Sequence, residues 1–301
     1  MPVALAMEGS FGFGLQTTKG TYVPPTTWLP VMEQSGGSGE TVALKKNYLL
    51  LDMADGKEYQ TSYYSAGEWA EGKVRFPVVP GSVSALFSWI QDRDAANQGK
   101  WASVLVDCVN EAKQLTDVKV KRAIFDLVKG DPVTCTLELC GLSLESGTKP
   151  SPTFPVAAPY IFTEVSVELG TGGMGPVGDI NCEAIQIVVD NVVEDPAEGL
   201  RLNEDPQPVQ LYNLAGVRCS GSLSRDFVDN AVYADFLSGQ EASLVLTLER
   251  GATVATVSLP RVLHAADGLG LAGSHAKRLV EDVSFVALGS ADGVTPPVIL
   301  A

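Results

Sequence analysis

The chain has 301 residues, and 36 Asp and Glu against 21 Lys and Arg give a formal net charge of −15. With 45% hydrophobic and 19% charged residues it lies in the globular range, outside that of disordered chains. A pI near 4.5 argues against a basic nucleic-acid-binding face, no apolar run approaches the roughly 20 residues that span a bilayer, and MPVALAMEGSF lacks the basic start of a secretory signal.

In chain order, strand patterns are predicted over 40–53, 70–79, 100–109, 117–128 and 131–144. A second series follows over 158–169, 181–191, 215–227, 241–250, 252–265 and 277–289. These segments are rich in β-branched residues, and several alternate apolar and polar positions with the period of a strand. Two helices are predicted. In 80–93, Val83, Leu86, Phe87 and Ile90 form one apolar face behind Pro80 at the helix start. In 229–239, Asp229 can cap the free N–H groups, Val232/Phe236 and Tyr233/Leu237 are i,i+4 pairs, and Gly239 can close the end.

The helices expose an internal repeat. GKVRFPVVPGSVSALFSWI (72–90) aligns with GSLSRDFVDNAVYADFLSG (221–239), each a strand that starts at Gly and runs into a helix. KWASVLVDCVN then matches QEASLVLTLER, VKVKRAIFDL matches VSLPRVLHAA, and TCTLELCGLSL matches DVSFVALGS. A long loop precedes each block, at about 53–70 and 191–215, and a Pro- and Ser-rich join lies at 146–159. The expected fold is mainly β: two tandem β-sandwich or barrel domains, 1–150 and 151–301, each with one short helix. Such units leave strand edges that must be blunted or paired, which points to pairing between subunits.

Motifs for chemistry are scarce. GTGGMG carries Gly170, Gly172 and Gly175 in dinucleotide-binding spacing, but Pro176 and another strand follow where a helix is required. There is no P-loop and no G-x-S-x-G, and neither His264 nor His275 has a partner motif. Cys108, Cys135, Cys140, Cys182 and Cys219 are odd in number and lack C-x-x-C spacing, so they read as reduced, mostly buried thiols. The acids Asp190, Glu194, Asp195, Glu198, Glu204 and Asp205 cluster as a Ca²⁺ loop might require, without EF-hand spacing, and otherwise read as a solvated loop. No catalytic residue, metal ligand or cofactor is assigned. Aromatics gather at Tyr59, Tyr63, Tyr64 and Trp69 and at Tyr22 and Trp28, either as interface anchors or packed beneath their own loops.

Several stretches resemble one family. KGTYVPPTTWLPV, NYLLLD, IQIVVDNVVED, AVYADFLSGQEASLVLTL followed by VSLPRV, and the closing DVSFVALGSADG are similar, in that order, to phage tail tube proteins of about this length. The resemblance covers most of the chain and is strongest over 181–292, while EQSGGSGE (33–40) and GLGLAGSHAK (268–277) depart from it.

That resemblance implies a structural virion protein, not an enzyme. Family members stack as rings around a channel that delivers the genome, each domain giving strands to an inner barrel and a long loop to the adjacent ring. Six domains complete a ring, so a two-domain chain implies homotrimeric rings with pseudo-sixfold symmetry. Other implied partners are the terminator, distal tail or baseplate and tape measure proteins, with DNA passing unbound and assembly in the bacterial cytoplasm. The expected inter-ring residues are Tyr59, Tyr63, Tyr64, Trp69, Glu194, Asp195, Glu204, Asp205 and Tyr212, with Tyr22 and Trp28 on an N-terminal arm. Segments 1–28 and 290–301 are expected to order on assembly. The polar face Arg218, Ser220, Ser222, Ser224 and Asp226 is the candidate channel wall, and the acidic balance predicts a negative lumen that repels phosphates. A virion decoration protein or glycan-binding, adhesin-like β-sandwich shares the strand-rich composition and stays an open alternative.

Overall fold

The computed structural model describes residues 10–32, 42–50, 63–107, 111–148, 151–171, 180–201, 207–270 and 279–301. The protein is mainly β, with 53% strand. In the first half β1 (Ser10–Leu15), β2 (Thr27–Leu29), β3 (Val42–Leu50) and β4 (Tyr63–Pro77) precede α1 (Val83–Gln91). Then follow β5 (Ala102–Asp107), β6 (Ala112–Val128) and β7 (Thr134–Gly147). The second half contains β8 (Val165–Gly170), β9 (Cys182–Asp190), β10 (Arg218–Asp226), α2 (Ala231–Ser238), β11 (Ala242–Arg250), β12 (Thr253–Gly270), β13 (Val280–Ala287) and β14 (Ile299–Leu300).

All pairings are antiparallel, and the two halves use the same connectivity. The first runs β1-β5-β6-β7-β4-β3 and the second β8-β11-β12-β13-β10-β9. Registers refine the repeat. Gly72 faces Leu139 as Gly221 faces Phe285, and Ala102 faces Val118 as Ala242 faces Val262. Val118 thus corresponds to Val262, five residues beyond the match with Val257 that the letters suggest. Hairpin length causes most of the slip, since Val118 follows Ala102 by 16 positions and Val262 follows Ala242 by 20, while both halves keep the same bulge, between Val120 and Arg122 in β6 and between His264 and Ala266 in β12.

The halves do not form separate sheets. The last seven residues of β6 pair with β9, from Arg122 opposite Asp190 to Val128 opposite Ala184, making one continuous sheet. Its core face carries Phe125, Leu137, Ile187, Leu223 and Phe285, all buried, and α1 closes over it. Trp89 of α1 stacks on Phe13 at 4.6 Å, and Phe87 meets Phe125 edge-on at 5.9 Å. Helix α2 buries Val232 but turns Tyr233 and Leu237 outward. It stops at Gly239, whose φ of +67° is the left-handed conformation glycine adopts without strain.

Three expectations need correction. Residues 63–70 are not loop: β4 begins at Tyr63 and pairs with β3 in a long hairpin, so Trp69 is a strand residue. The segment before Trp28 is not an unattached arm, because β1 and β2 are sheet strands, Trp28 is buried, and a Cβ on Gly12 would lie 2.6 Å from the Trp28 ring. Burying an indole outweighs leaving it for a partner. The end of the chain also folds back: β14 pairs with β12 at Val257 and Ser258, and Val298 is fully buried.

Candidate assembly surfaces

Two open edges, one concave face and one pinned loop stand out. Since β9 covers the last residues of β6, the repeat asks what covers their counterparts. Ala266 in β12 corresponds to Arg122, and Val42–Lys45 in β3 correspond to Ile187–Asp190. Among the described residues, no strand pairs with that side of β12 or with the outer side of β3. An uncovered strand edge presents a row of unpaired N–H and C=O groups, a ready template for another chain.

The predicted wall residues occupy the face opposite the core. Arg218, Ser220 and Ser222 are exposed and Ser224 and Asp226 half-buried, alternating with buried Cys219, Leu223 and Arg225. Ser224 is hydrogen-bonded to Asp282 on β13. A hollow of about 370 Å³ on this face is lined by Asp126, Gln186, Ser222, Ser224, Asp282 and Ser284, and Gln186 donates to Asp126 at 2.7 Å. The sequence expectation is an acidic wall. On strands β4, β7, β6, β9, β10 and β13, this face carries Glu71, Asp126, Glu138, Asp190, Asp226 and Asp282 against Lys73, Arg75, Lys119, Arg122 and Arg218. Acids and bases are thus near balance on it, whereas the whole chain carries −15.

At one end of this face, residues from 191–201 and 207–215 pack down on β6 and β7. Val193 and Leu211 bury with Cys140 and Leu142 beside Trp101. Lys119, only 1% exposed, donates to the Leu211 carbonyl and to Asn213 Oδ1, both at 2.8 Å, and lies 4.5 Å from the Trp101 ring centre. Asn213 donates to the Asn191 carbonyl, and Asn191 donates to the Ile90 and Val120 carbonyls and accepts from Arg93. Sequence reading missed Lys119, Asn191, Asn213 and Arg93. Lys119 stands in VKVKR beside Lys121 and Arg122, so the sequence singles out no buried Lys, and its acceptors lie 92 and 94 residues away.

The predicted interface residues divide as follows. Glu194 and Tyr212 meet, Glu194 N–H donating to the Tyr212 carbonyl at 2.8 Å and Tyr212 N–H to Glu194 Oε2 at 3.2 Å. Asp195 accepts from Ala197 N–H and so caps a 3-10 turn, Pro196–Gly199. Trp69 donates to Glu71 at 2.9 Å on the same strand face. Tyr22 is half-buried, and burial raises its hydroxyl pKa. Tyr59, Glu204 and Asp205 lie outside the described residues, as do the side chains of Tyr63 and Tyr64. The structure brings the two expected loops together at their bases: Gln207 donates to Glu68 at 3.4 Å, and Leu200 packs on Gly67.

Burial pushes the Cys140 and Cys219 thiols up to about 12 and Cys182 to about 11, and raises Cys135, which leaves them un-ionised at neutral pH. Among the described residues, no group of three or more His, Cys, Asp or Glu could hold a metal ion. No helix of the described residues is long and apolar enough to cross a membrane.

Burial, assisted by the like charge of Arg93, lowers the Lys119 pKa from 10.5 to about 8. Between these values the unfolded chain binds more protons than the folded one, so this residue makes stability rise with pH across that window. Raised thiol pKa values act in the opposite sense, so the comparison must be made against a variant. The melting temperature of wild type minus that of Lys119→Met is expected to increase from pH 7.5 to pH 9.5. A flat difference would show that the pocket does not lower the Lys119 pKa.

A family model described as phage tail tube protein matches residues 8–295. None of the curated proteins compared matches the chain.

Proposed function

The chain belongs to the phage tail tube protein family and is a structural component of the virion tail; from that premise we propose that it closes into trimeric rings, stacked head to tail, through which the DNA genome passes. The observation that carries this reading is the β6–β9 pairing. Within one chain it joins two equivalent units, here taken as residues 1–150 and 151–301, along a shared strand edge. A second joint of the same kind needs the counterparts, β12 of one chain and β3 of the next. Transferring the register sets Ala266 opposite Lys45, Asp267 opposite Leu44, Gly268 opposite Ala43 and Leu269 opposite Val42.

Three chains joined this way hold six units and leave neither edge open, which removes the template for uncontrolled pairing. The polar concave face then lines the channel, and the helices lie outside. Rings stacked head to tail use two different surfaces, so growth continues into a filament. The segments 53–70 and 191–215 are assigned the contact to the next ring, with the terminator, distal tail and tape measure proteins as partners at the ends and inside. No step in this role requires catalysis or a cofactor. A decoration or adhesin-like module would have no use for two complementary open edges. Cryo-electron microscopy of the purified chain tests the reading. Stacked rings with three chains and near-sixfold density around a hollow axis are expected, and solely monomers, or rings in which β3 and β12 stay apart, would overturn it.

A further inference from the structure

One row of side chains crosses the concave face from strand to strand with alternating charge. Lys73 on β4 faces Glu138 on β7, Glu138 faces Arg122 on β6, Arg122 faces Asp190 on β9, and Asp190 faces Arg218 on β10. The first three steps are ion pairs of 3.5, 3.7 and 3.3 Å. Three members come from the first half of the sequence and two from the second, so the joint between halves completes the pattern.

Stability does not explain the row. Its pairs are open to solvent, with side chains 28–43% exposed, and such pairs contribute about 0–1 kcal/mol each. The next row on this face holds a single charge, Arg75, beside Thr136, Ile124, Val188 and Ser220, and the one after it a single charge, Asp126, beside Thr134, Gln186, Ser222 and Ser284. What the row does control is the potential above the sheet. At physiological salt, charges are screened over about 8 Å. Pairs held within 3.7 Å therefore meet a phosphate beyond that distance as dipoles rather than as cations.

We propose that Glu138 and Asp190 mask the cations of this row, so that a polyanionic duplex can touch the wall through Lys73, Arg122 and Arg218 without being retained. This deepens the channel reading and rests on it for the position of the face. A wall built so is slippery because Lys73 and Arg122 are ion-paired and Arg218 faces Asp190, rather than because it is strongly acidic. The row itself, with three bases and two acids, leaves a residual +1 per chain, enough for brief contact.

The test uses the full chain and a fluorescently labelled short DNA duplex, with binding read by anisotropy, because the face is exposed on the single chain. Wild type is expected to bind negligibly at about 50 mM salt. Glu138→Gln with Asp190→Asn is expected to bind at least about tenfold more tightly, with roughly thirtyfold loss by 200 mM salt, as three uncompensated cations require. Adding Lys73→Gln, Arg122→Gln and Arg218→Gln should abolish the gain. Equal binding by wild type and the double variant, or a gain that survives removal of the three bases, would overturn the proposal. If circular dichroism finds the double variant unfolded, Glu138→Gln alone replaces it, with a smaller gain expected and none counting against the proposal. Tube formation is scored separately by electron microscopy: wild-type chains without tubes would overturn the ring reading and leave the masking result interpretable.

Discussion

Proline at whichever of Asp267 and Gly268 in β12 turns its N–H to the open edge is expected to leave a folded chain that forms no rings. Successive N–H groups of a strand point to opposite edges, so one of these two must face the open side of β12 and the other faces β13. Proline removes the donor and puts a ring in its place, which a central strand does not tolerate. On the open side the loss falls on the joint with β3 of the next chain and nowhere within the molecule. One missing backbone hydrogen bond at about 1 kcal/mol, together with the steric clash of the ring, should raise the concentration needed for assembly by at least about tenfold. The single substitutions separate the two effects. One should block assembly with little change in melting temperature, and the other should lower the melting temperature first. Sedimentation velocity and negative-stain microscopy across a concentration series read both. Tubes formed by both single variants at the wild-type concentration would mean that β12 is not the joining edge.

Breaking the ion pair buried beneath the second half is expected to destabilise the chain by about 3–5 kcal/mol. Arg225 on β10 faces Glu281 on β13 at 2.5 Å, with side chains only 7% and 1% exposed. Glu281→Gln would strand a guanidinium in an apolar layer beside Leu223, Val283 and Phe285, all buried. The repeat supplies the comparison. At the corresponding positions the first half has Phe76 opposite Cys135, both fully buried. One architecture thus holds an ion pair at one copy of the site and an apolar pair at the other. Arg225→Phe with Glu281→Val should therefore recover most of the loss, to within about 1 kcal/mol of wild type or above it, because desolvating two charges offsets most of their attraction. Urea titrations of the wild type, the single and the double variants decide the matter. A single variant within 1 kcal/mol of wild type, or a double variant no better than the single, would refute the account.

The alternation of small apolar and polar residues in Arg218–Asp226 sets which side chains meet the core, since a strand has a two-residue period and no alternative register buries Cys219 and Leu223 together. Likewise, the apolar stripe of 83–90 determines α1, and Gly239 the end of α2. The repeat was legible because Gly72 and Gly221 hold matching places in strands of like pattern, each leading into a helix. The family resemblance came from the same local patterns in order.

What only the tertiary structure decided is which edge meets which. Residues 122–128 read as a strand in isolation, but nothing local says that β9, some sixty residues on, covers them. The outer part of β4, residues 63–69, read as loop although its partner β3 lies inside the predicted strand 40–53, because Gly67 at φ +144° and the bulge opposite it, between Asn47 and Tyr48, break the two-residue alternation. The charge row emerges only when five strands come into register, and Lys119 finds its acceptors only when residues from 191–201 and 207–215 fold over it. Local sequence determined periodicity, and so strands, helices and faces. Pairing and ion contacts depend on residues far apart in the chain, whose approach is set by the closure of the whole sheet.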